Sequence, residues 1–265
     1  MEERRRRAVL NVANWQFYLS REKSGVARST AVDLSLRGEA PQEQRPNLMW
    51  VWLGMKSPNP HGLVGSDESA TLDQIQNAVA IELQRGLNAI HVARVDRERR
   101  CELWFYGNQV ETLEQTAAQA ISKFPDYRFI TGSRPDPQWT CYLTEFYPAD
   151  PKRWHQVVNH QLIQTLKGRG DVLESAHRLD HTLFFKTRES RERFVAAARQ
   201  QGYVIGGEFE DRDKRVIRFG VVVNQQLPRI NLASMNQVVF RLIDLAAPFD
   251  GAYDGWGTMQ VRVAS

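Results

Sequence analysis

The order of strand-like and helix-like patterns constrains the fold of this chain more than any other feature. From Asn47 to Thr131, apolar strand patterns and amphipathic helix patterns follow one another as β-α-β-β-α-β. From Ala176 to Val263 the same order of six elements occurs again. In each copy the two middle strands are joined by a charged turn, which suits the exposed tip of a hairpin. The repetition predicts two domains that share one plan.

This order is that of the split βαβ, or ferredoxin-like, unit. In such a unit each helix buries one apolar stripe against one face of the sheet. The clearest stripe follows a capping pattern at Thr71 and Gln74, and its apolar residues recur at helical spacing: Leu72, Ile75, Val79 and Leu83. We therefore expect an α+β protein with two ferredoxin-like domains in tandem.

A proline-rich segment between the two copies marks the expected domain boundary. Gly132–Gln138 (GSRPDPQ) contains two prolines and no apolar residue, which is typical of a linker. We therefore place a first domain at residues 1–135 and a second at residues 139–265. Near the start of the second, Trp139–Tyr147 is aromatic and predicts a strand, and the pair Asp150-Pro151 predicts the start of a helix.

The charge balance argues against a dedicated nucleic-acid-binding protein. The formal net charge is +4 and the isoelectric point is about 9.2, which is a mild excess for 265 residues. The run Arg4–Arg7 is interpreted as a solvated terminus in preference to an RNA- or membrane-binding arm. Hydrophobic residues make up 42% of the chain, which is enough to form two buried cores.

The sequence predicts neither export nor insertion into a membrane. No apolar run approaches the length of a membrane-spanning helix, and Ala8–Leu10 is too short for the apolar region of a signal peptide. Cys101 and Cys141 lie far apart and beside aromatic residues, which favours buried free thiols in a reducing compartment. We therefore expect a cytoplasmic protein without membrane contact.

Motifs of catalysis and metal binding are absent from the sequence. It contains no GxGxxG, P-loop, GxSxG or HExxH pattern. His155 and His160 are five residues apart in a helical pattern, so they point about 140° apart around the axis and cannot share one metal ion. The sequence predicts no metal site and no cofactor.

Asp180 and His181 form the most enzyme-like pair. Because successive side chains of a strand point to opposite faces, His181 shares its face with Leu179 and Leu183. A buried, hydrogen-bonded histidine is therefore favoured over a general base. For Asp180 we expect an ion pair with a neighbouring Arg or Lys.

The string Tyr253-Asp254-Gly255-Trp256-Gly257-Thr258 is the most distinctive short segment. Two glycines around a tryptophan indicate a tight backbone path with the ring held in one place. The favoured interpretation is a turn at the start of the last strand, with Trp256 closing the core. The alternative is an exposed aromatic anchor for a partner.

Ferredoxin-like sheets can bind RNA by stacking bases on exposed aromatic side chains. The corresponding central strand of the second domain, Arg215–Val223, carries a single aromatic residue, Phe219. A stacking platform needs several rings on one face. For this sheet we therefore favour protein binding over RNA binding.

Several strings of the second half resemble the family called regulator of ribonuclease E activity B. The resemblance covers Trp139 to Val263, and it depends on Arg178-Leu179-Asp180-His181, on Leu183-Phe184-Phe185, on Gly202-Tyr203 and on the YDGWGT string. The first half resembles the uncharacterised family numbered 695 among domains of unknown function. The strings that carry this second resemblance are Asn14-Trp15, Phe17-Tyr18, Pro46-Asn47-Leu48, Trp50-Val51 and Phe124-Pro125.

The resemblance implies a ferredoxin-like regulator that inhibits an endoribonuclease by binding it, and it carries over no catalytic residue. Our interpretation is a non-catalytic, protein-binding regulator, with a ribonuclease or another nuclease as the suggested class of target. An RNA-binding module and an enzyme that uses Asp180 and His181 are the alternatives, and the oligomeric state stays open. The residues singled out for partner contact are Arg178, Asp180, His181, Tyr253, Asp254 and Trp256.

Overall fold

The chain folds into two compact units, Met1–Ala149 and Asp150–Ser265. The structure is a computed structural model that describes residues 13–22, 24–211 and 218–262. The run Arg4–Arg7 and the segment Ala8–Leu10 lie outside these residues, as does most of the charged turn that follows Asp211.

The first unit is built around a six-stranded antiparallel sheet in the order β1-β2-β4-β5-β3-β6. The part β4-β5-β3-β6, with one helix after β3 and one after β5, has the ferredoxin-like topology, and β1 and β2 extend it at the β4 edge. The elements are β1 Trp15–Arg21, β2 Ala27–Asp33, β3 Asn47–Gly54, α1 Ser66–Leu87, β4 Ile90–Arg97, β5 Arg100–Gly107, α2 Leu113–Ile121 and β6 Phe129–Pro135.

The core of this unit lies between the two helices and one face of the sheet. Alternate residues of β3 and β5, such as Val51 and Leu103, are fully buried against the apolar stripe of α1. That stripe contains Leu72, Ile75, Val79 and Leu83, which confirms the spacing predicted from the sequence. On the opposite face, Trp104 and Tyr106 of β5 pack against Phe146 and Trp139 of the segment that follows β6.

Helix α1 begins at Ser66, five residues before the predicted capping pair Thr71 and Gln74. The carboxylate of Glu68 accepts hydrogen bonds from the backbone N–H groups of Lys56 and Ser57, each at 2.8 Å. These bonds hold an additional first turn against the preceding loop. The predicted start was wrong because this support comes from outside the local sequence.

The segment after β6 differs most from the sequence-based expectation. Gly132–Pro135, predicted as part of a linker, pairs with β3 as the end of β6. Trp139–Tyr147, predicted as a strand, is helical and ends in a π-helical turn. The carboxylate of Asp136 caps this turn, because it accepts hydrogen bonds from Thr140 N and Cys141 N, each at 2.9 Å.

The second unit contains a four-stranded antiparallel sheet in the order β10-β7-β9-β8, which is again ferredoxin-like. The chain is thus an α+β protein with two ferredoxin-like domains in tandem, as the element order predicted. The elements are α3 Pro151–Gly168, β7 His177–Phe185, α4 Arg188–Gln200, β8 Val204–Glu210, β9 Phe219–Leu227, α5 Leu232–Ala246 and β10 Ala252–Thr258. The domain limits 1–135 and 139–265 stay a prediction.

Helix α3 precedes the ferredoxin-like elements of the second unit and packs beside α5. Its start is set locally, because Asp150 accepts a hydrogen bond from Arg153 N at 3.0 Å and Pro151 occupies the first turn. Both signals were visible in the sequence, and the predicted helix is confirmed. The helix carries His155 and Asn159 to the last strand, as described below.

Two further properties concern the described part of the chain. None of its helices is long and apolar enough to cross a membrane. Cys101 and Cys141 are buried free thiols, and burial raises the pKa of both.

Candidate functional site

Three of the six candidate residues meet inside the second unit. His181 of β7 is fully buried, and its Nδ1 lies 2.7 Å from the hydroxyl oxygen of Tyr253 on β10. Trp256 pairs with His181 in the register of these two strands and is also buried. The favoured interpretations of His181 as a core residue and of Trp256 as part of the core agree with this placement.

Helix α3 completes this buried cluster with two residues that the sequence analysis did not select. The Nε2 atom of His155 lies 3.1 Å from the carbonyl oxygen of Tyr253. The side-chain oxygen of Asn159 accepts a hydrogen bond from Trp256 Nε1 at 2.8 Å. His155 and Asn159 are four residues apart and so lie on one face of the helix. This spacing is the sequence signal that could have identified the two residues as a pair.

The buried cluster is electrically neutral near pH 7. Burial lowers the pKa of His181 to about 4, against an opposing effect of Asp180, and burial also lowers the pKa of His155. The pKa of Tyr253 is raised by burial. His181 Nε2 and His155 Nδ1 have no hydrogen-bond partner in the part of the chain that the structure describes. A fully buried His181 is not presented to a substrate.

Two other candidates, Arg178 and Asp180, lie on the opposite, solvent-exposed face of β7. Asn224 of β9 donates to the Asp180 carboxylate at 2.6 Å and accepts from Arg178 at 3.2 Å. Arg178 Nε also lies 3.5 Å from Asp180, which is the ion pair that we expected for this aspartate. The two side chains remain 72% and 54% exposed, so the network faces solvent.

Apolar side chains flank this network on the same sheet face. Val204 of β8 is 63% exposed and pairs with Asn224. Phe209 of β8 is 38% exposed, and its ring lies over Gly220 of β9. We call the surface formed by Arg178, Asp180, Val204, Phe209 and Asn224 the open face of the second unit.

The sixth candidate, Asp254, is exposed at an irregularity of β10. The pairing of β10 with β7 shifts between Tyr253 and Gly255, so that Asp254 is the extra residue. The bulge lets Tyr253 and Trp256 both point into the core although they are three residues apart. In the described residues no group of three or more His, Cys, Asp and Glu side chains is placed to hold a metal ion.

Two family models match the sequence and divide it at α3. The model described as "Regulator of ribonuclease activity B" matches residues 156–258, which include the open face and the buried cluster except His155. The model described as a family of unknown function (DUF695) matches residues 13–162, more than half of the chain. The chain belongs to the DUF695 family. The DUF695 match extends into α3, and both resemblances predicted from the sequence are confirmed.

Similarity of this DUF695 protein to individual proteins is low. No curated protein matches it at a significant level. A crystal structure of an unknown protein from Galdieria sulphuraria is 9% identical, with 81% of this chain and 98% of that chain covered and a TM-score of 0.22. A candidate glycine cleavage system transcriptional repressor is 8% identical, with the same coverage and a TM-score of 0.25. These values carry no argument about function.

Proposed function

We propose that this DUF695 protein is a non-catalytic regulator that binds a protein partner, and that the partner is a ribonuclease. The observation that carries the proposal is the open face, which lies in the region matched by the family model "Regulator of ribonuclease activity B". On this face the exposed Arg178–Asp180–Asn224 network adjoins exposed Val204 and Phe209.

The composition of the open face suits contact with a protein. Arginine and aromatic side chains are enriched among the residues that dominate binding energy at interfaces. Arg178 and Asp180 are already positioned by Asn224, so less side-chain entropy is lost when a partner binds. Asp254 is the third exposed candidate, and we assign direct contact to these three charged residues.

The buried candidates have a supporting role in this proposal. His181, Tyr253 and Trp256 link β7, β10 and α3 through hydrogen bonds of 2.7 to 3.1 Å, together with His155 and Asn159. They fix the sheet whose other face carries Arg178 and Asp180. We infer that the chain is not an enzyme, because its most enzyme-like histidine is buried and bonded to a phenol.

The test is affinity capture of the tagged chain from lysate of its source cells, with and without nuclease treatment, read by mass spectrometry. We expect a ribonuclease that persists after nuclease treatment. Arg178→Ala and Asp180→Ala should reduce its recovery. Arg229→Ala is the matched control, because Arg229 is an exposed arginine whose 3.9 Å ion pair with Glu174 lies outside the open face.

Two results would oppose the proposal. Loss of every partner after nuclease treatment would shift the assignment to RNA binding. An empty capture in both arms would return the enzyme hypothesis with Asp180 and His181.

A further inference from the structure

The sheet face of the first unit that lies opposite α1 and α2 carries a cluster of three tryptophans. Trp50 and Trp52 are alternate residues of β3, and Trp104 of β5 pairs directly with Trp50. The ring centroids lie 5.5 to 6.0 Å apart. These two strands are the central strands of the ferredoxin-like part of the sheet, so the rings lie near the middle of this face.

Trp50 lies flat on the sheet. A Cβ atom added to Gly132 of the neighbouring strand β6 would be 2.3 Å from Cζ2 of the Trp50 ring. One face of the indole therefore packs on the backbone of Gly132. A side chain on any other residue at position 132 would displace the ring. Trp50 and Trp52 are half-buried, whereas Trp104 is 9% exposed and packs on Phe146 at 5.3 Å.

Positive charge surrounds the two half-buried rings. The guanidinium carbon of Arg100 lies 4.9 Å from the centre of the Trp52 ring. Arg128, Ile130 and Arg134 alternate along β6 and the residue before it, all are exposed, and Ile130 pairs with Trp52. The guanidinium of Arg134 lies beside the thiol of Cys141, and neither Arg128 nor Arg134 forms an ion pair within the part of the chain that the structure describes.

The acidic groups next to this surface are paired with arginines. Glu98, which is 51% exposed, accepts a hydrogen bond from Arg100 at 2.8 Å. The carboxylate of Glu102, which pairs with Trp52 across the strands, is 1% exposed. It accepts from Arg97 Nε at 3.0 Å and lies 3.6 Å from Arg100. The exposed guanidinium groups of Arg128 and Arg134 therefore supply the positive charge beside the tryptophans, which is complementary to a phosphate backbone.

We propose that this surface, formed by Trp50, Trp52, Arg100, Arg128 and Arg134, binds single-stranded RNA. Unpaired bases would stack on the two indoles, because every base has a π-face, and phosphates would contact the arginines. We call this surface the tryptophan platform. The structural argument for the platform does not depend on the proposed function. Only the choice of RNA over DNA depends on the proposed ribonuclease partner.

Two comparisons within the chain support the proposal. The buried Nε1 atoms of Trp52 and Trp104 have no hydrogen-bond partner in the described residues. Leaving these N–H groups unpaired costs free energy, and aliphatic side chains could cover the same sheet without that cost. The open face of the second unit carries the acidic Asp180 and one exposed ring, Phe209. Stacking chemistry is therefore concentrated in the first unit.

The test is binding of a labelled RNA of about 12 nucleotides to the full chain, followed by fluorescence anisotropy at about 50 mM salt. Trp50→Ala and Trp52→Ala should each weaken binding about tenfold, and Trp50→Phe should recover most of the loss. Trp154→Ala removes a tryptophan of α3 that is 40% exposed, and should leave binding unchanged. Circular dichroism establishes that each variant is folded.

The arginines are tested through the salt dependence. In the double variant Arg128→Ala and Arg134→Ala, the slope of log K against log salt should fall by about 1.4, which corresponds to about 0.7 for each lost phosphate contact on a single strand. RNA should also quench tryptophan fluorescence in the wild-type chain and much less in Trp50→Ala.

Several outcomes would overturn the proposal. Absence of RNA binding at this salt concentration, or equal affinity of Trp50→Ala, would remove the platform. Equal affinity for DNA of the same sequence would remove the choice of RNA. A Trp50→Ala variant that loses only a protein partner would reassign the surface to protein binding. None of these results depends on whether the chain inhibits a ribonuclease, so the two proposals fail separately.

Discussion

The hydrogen bond between Tyr253 and His181 is the contact on which the buried cluster depends at the scale of single residues. Both side chains are nearly inaccessible, so neither can exchange this bond for one to water. The phenol can donate to the neutral imidazole, and the low pKa of His181 keeps the ring neutral. The pair therefore stabilises the fold only while both groups are uncharged.

Replacing Tyr253 by Phe removes the hydroxyl and leaves His181 Nδ1 buried without a partner. We expect the free energy of unfolding of the second unit to fall by about 1–3 kcal/mol in urea titrations. Tyr203→Phe is the control, since no hydrogen bond of the Tyr203 hydroxyl occurs among the described residues. Equal effects of the two substitutions would show that the bond contributes nothing specific.

The depressed pKa of His181 makes the stability depend on pH. Between its ordinary value of 6.5 and about 4, the unfolded chain binds a proton that the folded chain does not, so stability is lost as the pH falls. For this group alone, unfolding should be easier by about 2 kcal/mol at pH 5 than at pH 7.5. Nitrogen NMR should find the His181 ring neutral at pH 5, and a charged ring at that pH would contradict the assignment.

Alternation along β7 was sufficient to place His181 inside and Asp180 outside. It did not identify Tyr253, which is 72 residues away in the chain, as the partner of His181. That contact depends on the pairing of β7 with β10 and on a bulge at Asp254, neither of which a single sequence specifies. The helical spacing of His155 and Asn159 was present in the sequence. Their hydrogen-bond partners could be identified only once the position of β10 was known.

At the scale of elements, Trp50 of β3 packs directly against the backbone of the neighbouring strand β6. The Trp50 ring occupies the space above Gly132, so β6 tolerates no side chain at this position. Gly132→Ala should lift the ring and destabilise the unit by about 1–3 kcal/mol, measured by thermal unfolding and tryptophan fluorescence. Gly54→Ala is the matched control on β3, where the nearest atom would be 4.0 Å away. An unchanged stability of the Gly132→Ala variant would contradict the flat placement of Trp50.

A second prediction at this scale concerns the hydrogen bond that joins α3 to β10. Asn159→Ala removes the acceptor of Trp256 Nε1 and one hydrogen bond to Asn236, so two polar groups lose a partner. We expect a loss of about 1–3 kcal/mol in the stability of the second unit. Gln161→Ala, at an exposed position of the same helix, should have little effect. Similar results for both variants would mean that α3 is held mainly by its apolar contacts.

Elements with local signals were predictable, and elements with distant support were not. The pair Asp150-Pro151 defined the start of α3, because a cap and a first-turn proline act within four residues. The helical segment Trp139–Tyr147 depends on Asp136 and on stacking of Trp139 against Tyr106 at 4.2 Å. Its aromatic content predicts a strand when that support is unknown. The tryptophans of the platform were visible, but their shared face follows from the pairing of β3 with β5.

At the scale of the whole molecule, each unit contains its own hydrophobic core. One core consists of residues of the first unit and the other of residues of the second. We expect the fragments 13–149 and 150–265 each to fold cooperatively in urea, with dispersed NMR spectra. A fragment 150–265 that stays unfolded would show that its core needs the first unit.

The most direct test of the regulatory account is the rate at which the captured ribonuclease cleaves excess RNA while the full chain is titrated in. Regulation through protein binding predicts that the rate falls to a plateau near one chain per enzyme, and that Arg178→Ala and Asp180→Ala shift the titration to higher concentration. A rate that falls only when the chain matches the RNA would indicate sequestration of substrate, and an unchanged rate would contradict the account.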